Sequence, residues 1–219
     1  VRGILLSDND SIKNAISGIQ DVMVITDSGD GFYKDGSFIQ HDNIPYNCGY
    51  GRSLIQELAP MLYTFKDTEF EIKNTDIINT WVEKSYLPFI YNGRTMDMVR
   101  GREISRYYEQ SDFACSRILS AMLILTELSE FDILRSVIKT HLTDSFFEYA
   151  SLFAVELAEG LQEDDNIEPK EIKPYFMAFN SMDRAVKHGN GYTIGLAMHS
   201  ERTAAFESIN DENHNAYHT

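Results

Sequence analysis

Apolar residues return at three- and four-residue steps as far as Leu161, and that spacing limits the first part of the chain to amphipathic helices. Ile12, Ala15, Ile16, Ile19, Val22 and Met23 predict a helix over 11–23, opened by Asp8-Asn9-Asp10. The pattern resumes at Leu54, Ile55, Leu58, Met61 and Leu62, returns at Ile77, Ile78, Trp81 and Leu87, and runs again from Phe113 to Leu128. Ile133–Leu142 and Phe146–Leu161 add two more helices, separated by short Thr-Asp and Ser-Glu junctions that suit helix caps. No sequence repeat is legible, but the rhythm predicts a mainly α layer of helical hairpins.

The rhythm ends at Glu163–Pro174, a charged stretch carrying two prolines. Beyond it, 176–179, 192–198 and 203–209 are short and extended in character. The expected division is therefore a helical domain over 1–165 and the start of a β-rich domain over 166–219. About 50 residues can barely close a sheet, so the rest of that domain is expected beyond Thr219. A start at Val1 and a stop inside a polar stretch fit a chain cut at both ends. The lack of a leader therefore says nothing about secretion.

Charge excludes some functions. With 34 acidic and 19 basic side chains the net charge is −15, which disfavours a nucleic-acid binder. An anionic ligand would need a local basic patch. The longest apolar runs, such as Ala121–Leu125, are far shorter than the roughly 18 residues a membrane span requires. Cys48 and Cys115 are too few for a disulfide scaffold or a four-cysteine zinc site. The histidines at 141, 188, 199, 214 and 218 lack zinc-ligand spacing, and neither a phosphate-binding glycine loop nor a serine elbow is present. No carboxylate pair has the distinctive setting of a glycosidase.

Three blocks carry candidate chemistry. The first, Asp35–Gly51, reads DGSFIQHDNIPYNCGYG and places one imidazole and two phenols within ten residues, between glycines that permit tight turns. That mixture suits proton transfer; an ordinary ordered loop is the competing reading. The second, MDMVRGREISR over 96–106, lies in a stretch where Arg94, Arg100, Arg102 and Arg106 outweigh Asp97 and Glu103. Arg102 and Arg106, four apart, would share a helical face and offer guanidinium forks to carboxylates or sulfates, unless nearby acids pair with them internally. The third comprises FNSMDRAVKH over 179–188 and FESINDEN over 206–213, where Glu207 and Asn210 are candidates for a cleft between the domains.

Taken in order, these segments resemble the polysaccharide lyase family of hyaluronate, chondroitin AC and xanthan lyases, over roughly Gly31–Asn213. The resemblance implies an incomplete α/α toroid of helical hairpins followed by the first strands of an antiparallel β-sandwich. It implies β-elimination on a uronate: loss of the C5 proton, then of the C4 glycosidic oxygen. It places the reaction centre on His41, Tyr50 and Arg102, and substrate contacts on Arg106, Arg100, Asn43, Glu207 and Asn210. Tyr50 is the candidate base and then acid, a phenol that adjacent cations must activate, while His41 helps neutralise the uronate carboxylate; the family pattern also admits His41 as the base, so the resemblance assigns the pair ahead of either role. No cofactor or metal is expected. The expected partner is an acidic polysaccharide, hyaluronan or chondroitin ahead of xanthan, acted on by a secreted or cell-surface monomer. The alternative is a non-catalytic glycan-binding protein on the same scaffold. The asparagine and tryptophan-rich patch that the family pattern places upstream have no counterpart here, since Trp81 lies in an apolar helical pattern. The expectation of turnover therefore attaches to a longer parent protein.

Overall fold

The computed structural model describes residues 1–215; residues 216–219, which end the expected β-domain and include His218, lie outside the described residues. The chain opens with helices α1 (Arg2–Leu6) and α2 (Asn9–Val22). Asp8 caps α2 by accepting from the Ser11 backbone N–H at 3.1 Å, as its Asp-Asn-Asp start predicts.

The stretch 27–51 is more ordered than an irregular loop. Strands β1 (Ile25–Thr26), β2 (Gly31–Tyr33), β3 (Phe38–Gln40) and β4 (Ile44–Pro45) form a small sheet in chain order, parallel at β1–β2 and antiparallel after that. Strands this short give too few alternations to be read from sequence. Asn47, fully buried, pins the segment: its carbonyl oxygen accepts from Phe38 N–H, and its amide donates to the Gly36 and Ser85 carbonyls at 2.9 and 2.8 Å.

Helix α3 (Tyr50–Phe65) starts directly after this sheet and buries Ile55, Leu58, Ala59 and Leu62. Helix α4 (Asp76–Trp81) runs into a π turn at Val82–Tyr86 and a 3-10 turn at Leu87–Phe89, which the sequence reads as one helix. Trp81 is core, with its ring stacked 4.3 Å from Phe32. The hairpin β5 (Ile90–Tyr91) and β6 (Arg94–Thr95) leads to a 3-10 turn at Gly101–Ser105. Arg102 and Arg106 therefore do not share an α-helical face, as their spacing suggested. Helix α5 (Ser111–Leu125) is buried almost all round and forms the centre of the core.

Helix α6 (Leu134–His141) follows, and the helix expected over 146–161 divides into α7 (Asp144–Tyr149) and α8 (Leu152–Glu163). The break falls at Ala150-Ser151, where extended backbone lets Ser151 cap α8. No helix among the described residues is long and apolar enough to cross a membrane.

After the proline-bounded linker, β7 (Tyr175–Phe179), β8 (Arg184–Gly189) and β9 (Tyr192–Ala197) form an antiparallel sheet. Thus 203–209 is not a strand; the third strand is β8, whose charged and small residues conceal its alternation. The fold is mainly α, followed by antiparallel strands.

The sheet packs against the helical part through Phe89 and Phe179, with ring centroids 4.6 Å apart, and through Arg184, which donates to the Met98 carbonyl. Ser181 N–H donates to Asp35 at 2.8 Å. A cavity of about 490 Å³ lies on this seam, lined by Leu87, Pro88, Val137, His141, Tyr175 and His188 among others.

Candidate active site

The seam gathers side chains that are far apart in sequence. His41 sits just past β3 with a φ of 54°, and Asp42 follows at 69°, so two successive non-glycine residues hold left-handed backbone. Such strain is maintained by surrounding structure and is concentrated at functional sites. It turns the His41 ring toward Glu207, placing Nδ1 2.5 Å from Oε1. Tyr50, at the first turn of α3, meets the His41 ring edge-on with centroids 5.0 Å apart.

Arg102 reaches the same point from the 3-10 turn. Its Nη2 donates to the Tyr50 phenol oxygen at 3.2 Å, and its guanidinium carbon lies 5.8 Å from that ring's centroid. Nη1 donates to Glu207 at 3.1 Å and Nε to Glu212 at 2.6 Å. Arg106 donates from Nε and Nη2 to the same Glu212 carboxylate, at 2.6 and 3.1 Å, and from Nη1 to Glu109 at 2.8 Å. Glu212 thus holds the two guanidinium groups side by side. Imidazole, phenol and guanidinium thus meet at one point, where the His41 side chain is about one-third exposed.

The carboxylates respond to their donors. Burial pushes the Glu207 carboxyl up, but hydrogen bonds from Tyr46, His41 and Arg102 outweigh burial and hold it below the ordinary range. The Arg106 hydrogen bonds do the same for Glu212, against some burial. Glu103, paired with Arg52 at 3.3 Å, is instead raised by burial.

The remaining sequence candidates divide. Arg100 is a strut: it is 1% exposed and bonded to Asp97 and the Glu109 carbonyl, so it does not join the cluster. It lies within a run, 99–103, that is buried throughout the tight Asp97–Ser105 turns. Asn210 lies exposed at a positive-φ turn and makes no hydrogen bond to the cluster among the described residues. Asn43 contributes backbone: its carbonyl accepts from Ala204 N–H at 3.0 Å, tying the His41 loop to the segment that carries Glu207.

Tyr46, Glu212, Arg52, Glu103 and Glu109 are absent from the sequence-derived set. Tyr46 could have been found, because it is the second phenol of the loop. The Glu103 and Glu109 pairings depend on turns that no helical spacing predicts. The arginines are matched internally, with Arg52, Arg102 and Arg106 set against Glu103, Glu109, Glu207 and Glu212.

Comparison with known proteins bears on the family and the fold. Residues 1–140 match the N-terminal α-helical domain of polysaccharide lyase family 8, and residues 174–219 match that family's super-sandwich domain. A hyaluronate lyase of Thermasporomyces composti is 34% identical over the whole chain. The solved structure of a Paenibacillus xanthan lyase superposes with a TM-score of 0.94 at 32% identity over 99% of the chain. A Streptomyces coelicolor chondroitin AC lyase, solved in complex with chondroitin sulphate, superposes at 0.87 with 27% identity over 99%. The chain spans 30%, 22% and 32% of these three proteins, respectively.

Proposed function

The chain belongs to polysaccharide lyase family 8, and from that premise we propose that it supplies the proton-transfer centre of a secreted lyase acting on a uronate-containing polysaccharide. The substrate is hyaluronan or chondroitin in the first place, with xanthan next. The observation that supports this reading is the convergence of His41, Tyr50 and Arg102, with Arg102 Nη2 3.2 Å from the Tyr50 oxygen.

The C5–H of a uronate is a weak acid, and removing its proton spreads negative charge into the neighbouring carboxylate. A pre-arranged set of donors lowers that barrier where the charge develops. Tyr50 takes the C5 proton and then returns it to the departing C4 oxygen, so the bond breaks without added water. Arg102 steadies the phenolate that Tyr50 is before it takes the proton and becomes again once it has returned it, since its Nη2 N–H already points at that oxygen. His41, with Nδ1 engaged by Glu207, has Nε2 left for the uronate. Arg106 reaches the centre through Glu212 and positions Arg102. Asn43 and Asn210, whose amides the cluster does not use, are left for polymer contacts around it.

The glycan-binding alternative needs guanidinium groups available to grip the polymer. Arg102 and Arg106 are instead matched by carboxylates, while Arg102 keeps one N–H on Tyr50. This arrangement suits turnover better than grip.

The test is to incubate the full polypeptide carrying this chain with hyaluronan, chondroitin sulfate and xanthan, following the ultraviolet absorbance of the conjugated product. Tyr50→Phe is expected to lower kcat by roughly 10²- to 10⁴-fold, the range of general acid–base catalysis, while polymer binding survives. Near-normal turnover by Tyr50→Phe would remove Tyr50 from the chemistry. No absorbance change on any of the polymers would remove the lyase reading.

A further inference from the structure

Behind Tyr50 lies a second phenol that the proposed proton transfer does not use. Tyr46 is fully buried, and its ring packs edge-on against Tyr50 and His41, at centroid distances of 4.9 and 6.1 Å. Two glycines make room for it. A Cβ on Gly49 or on Gly101 would penetrate the Tyr46 ring, and Gly101 also holds a φ of 55°. This slot fixes where the hydroxyl lies. It donates to Glu207 Oε2 at 2.5 Å and accepts from the Arg102 backbone N–H at 3.0 Å, with Arg102 Nη1 3.3 Å away.

Glu207 therefore stands between two rings, with Oε1 on His41 Nδ1 and Oε2 on the Tyr46 hydroxyl. We propose that Tyr46 is a positioning residue that sets the proton balance of the His41–Glu207 pair, keeping the carboxylate ionised so that the shared proton stays on the imidazole. The inference deepens the lyase reading, because it concerns the same centre, yet it can be tested without turnover.

The argument is one of competing basicity. A carboxylate that accepts a phenol hydrogen bond is a weaker base than one that does not. With Tyr46 donating, Glu207 orients the His41 ring without taking its proton, as a buried carboxylate does for the histidine of a hydrolase triad. Without that donor, the pair binds protons more tightly. Burial, and then the hydrogen bond to Glu207, push the Tyr46 phenol well above its ordinary range, so it stays a donor throughout the working range. The other groups around the pair are fixed. Arg102 faces Glu207 from the 3-10 turn, Tyr50 faces His41 from α3, and Asn213 donates to the Glu207 backbone carbonyl. Glu212 reaches the pair only through Arg102, and Glu103 lies behind Gly49 with Arg52.

The experiment is a pH titration of the His41 ring by ¹⁵N NMR in protein labelled at histidine, for the wild type, Tyr46→Phe, and a variant carrying 3,5-difluorotyrosine at position 46. In Tyr46→Phe the midpoint of the pair is expected to rise by about one pH unit, the size of one charge-assisted hydrogen bond. The fluorinated phenol keeps the shape and donates more strongly, so its midpoint is expected to fall; it also serves as the test should Tyr46→Phe not fold. In the lyase assay, Tyr46→Phe should lose about tenfold in kcat or more with little change in KM. Unchanged midpoints, or midpoints moving in the same direction in both variants, would overturn the inference. Opposite shifts in a protein inactive on every uronate polymer would sustain the tuning by Tyr46 and defeat the lyase reading alone.

Discussion

Acidification from pH 7.5 to 5 is expected to remove about 2 kcal/mol of folding stability through one residue of the seam, His141. Its side chain is 3% exposed in the cavity between α6 and the sheet, with His188 on another wall. Burial, then the neighbouring His188, pull it from 6.5 down to about 4. The unfolded chain takes up this proton near 6.5 and the native chain only near 4, so between those values the unfolded state holds more protons. Stability consequently falls as pH falls through that window. About 2.5 pH units at ~1.4 kcal/mol each give about 3 kcal/mol lost below pH 4, of which about 2 kcal/mol has gone by pH 5. Urea unfolding of the chain at the two pH values, for the wild type and His141→Gln, measures it. The variant starts less stable, because its side chain fills the site less well, but its loss between the two pH values should be smaller by about 2 kcal/mol. His188, also held down by burial, titrates in both proteins, so the difference isolates His141 together with its coupling to His188. An equal loss in both proteins would show that His141 is not the group responsible.

Two further substitutions test the framework that aims the site. Gly101→Ala places a methyl group in the slot of the Tyr46 ring at a left-handed φ; strain and overpacking together should cost about 2–4 kcal/mol in urea unfolding. Asn47→Ala strips partners from one buried N–H and two carbonyls, and a loss of about 2–4 kcal/mol is expected in the same measurement, with helix content unchanged in the native baseline.

The sequence discloses those features of the fold whose signal is local and periodic. Helices α2, α3 and α5 are legible because each repeats its apolar spacing over several turns, and the linker because two prolines and a run of charge interrupt it. The strands of the His41 region are hidden by their length of two or three residues, and β8 by Arg184 and Lys187 within it. At the site, His41, Tyr50 and Arg102 stand out because their residue types carry chemistry and their segments match a family. Tyr46 is equally visible in composition, but only tertiary structure separates its role from that of Tyr50: one phenol is half-buried beside His41 and Arg102, the other is fully buried against Glu207. Arg100 misleads for the same reason in reverse, since a cation in a basic block reads as accessible until the turn buries it.

The pairing of three arginines with four glutamates at a centre proposed to act on an acidic polymer has a physical rationale. An unpaired guanidinium group on a largely buried turn would be costly, and it would also be free to swing toward any anion. Glu212 removes that freedom by taking the Nε of both Arg102 and Arg106, and Glu207 takes Nη1 of Arg102. What remains directed at the reacting region is Nη2, held on the Tyr50 oxygen. The cluster thus gives up net positive charge, and with it non-specific attraction, in exchange for one donor whose direction is fixed before substrate arrives. Stabilisation of a developing charge depends on that pre-arrangement more than on the sum of nearby charges. Both carboxylates that enforce it come from the segment beyond the three-stranded sheet, while His41, Tyr50 and Arg102 come from the helical part. The alignment of the centre is therefore a property of the closed seam, not of either part alone.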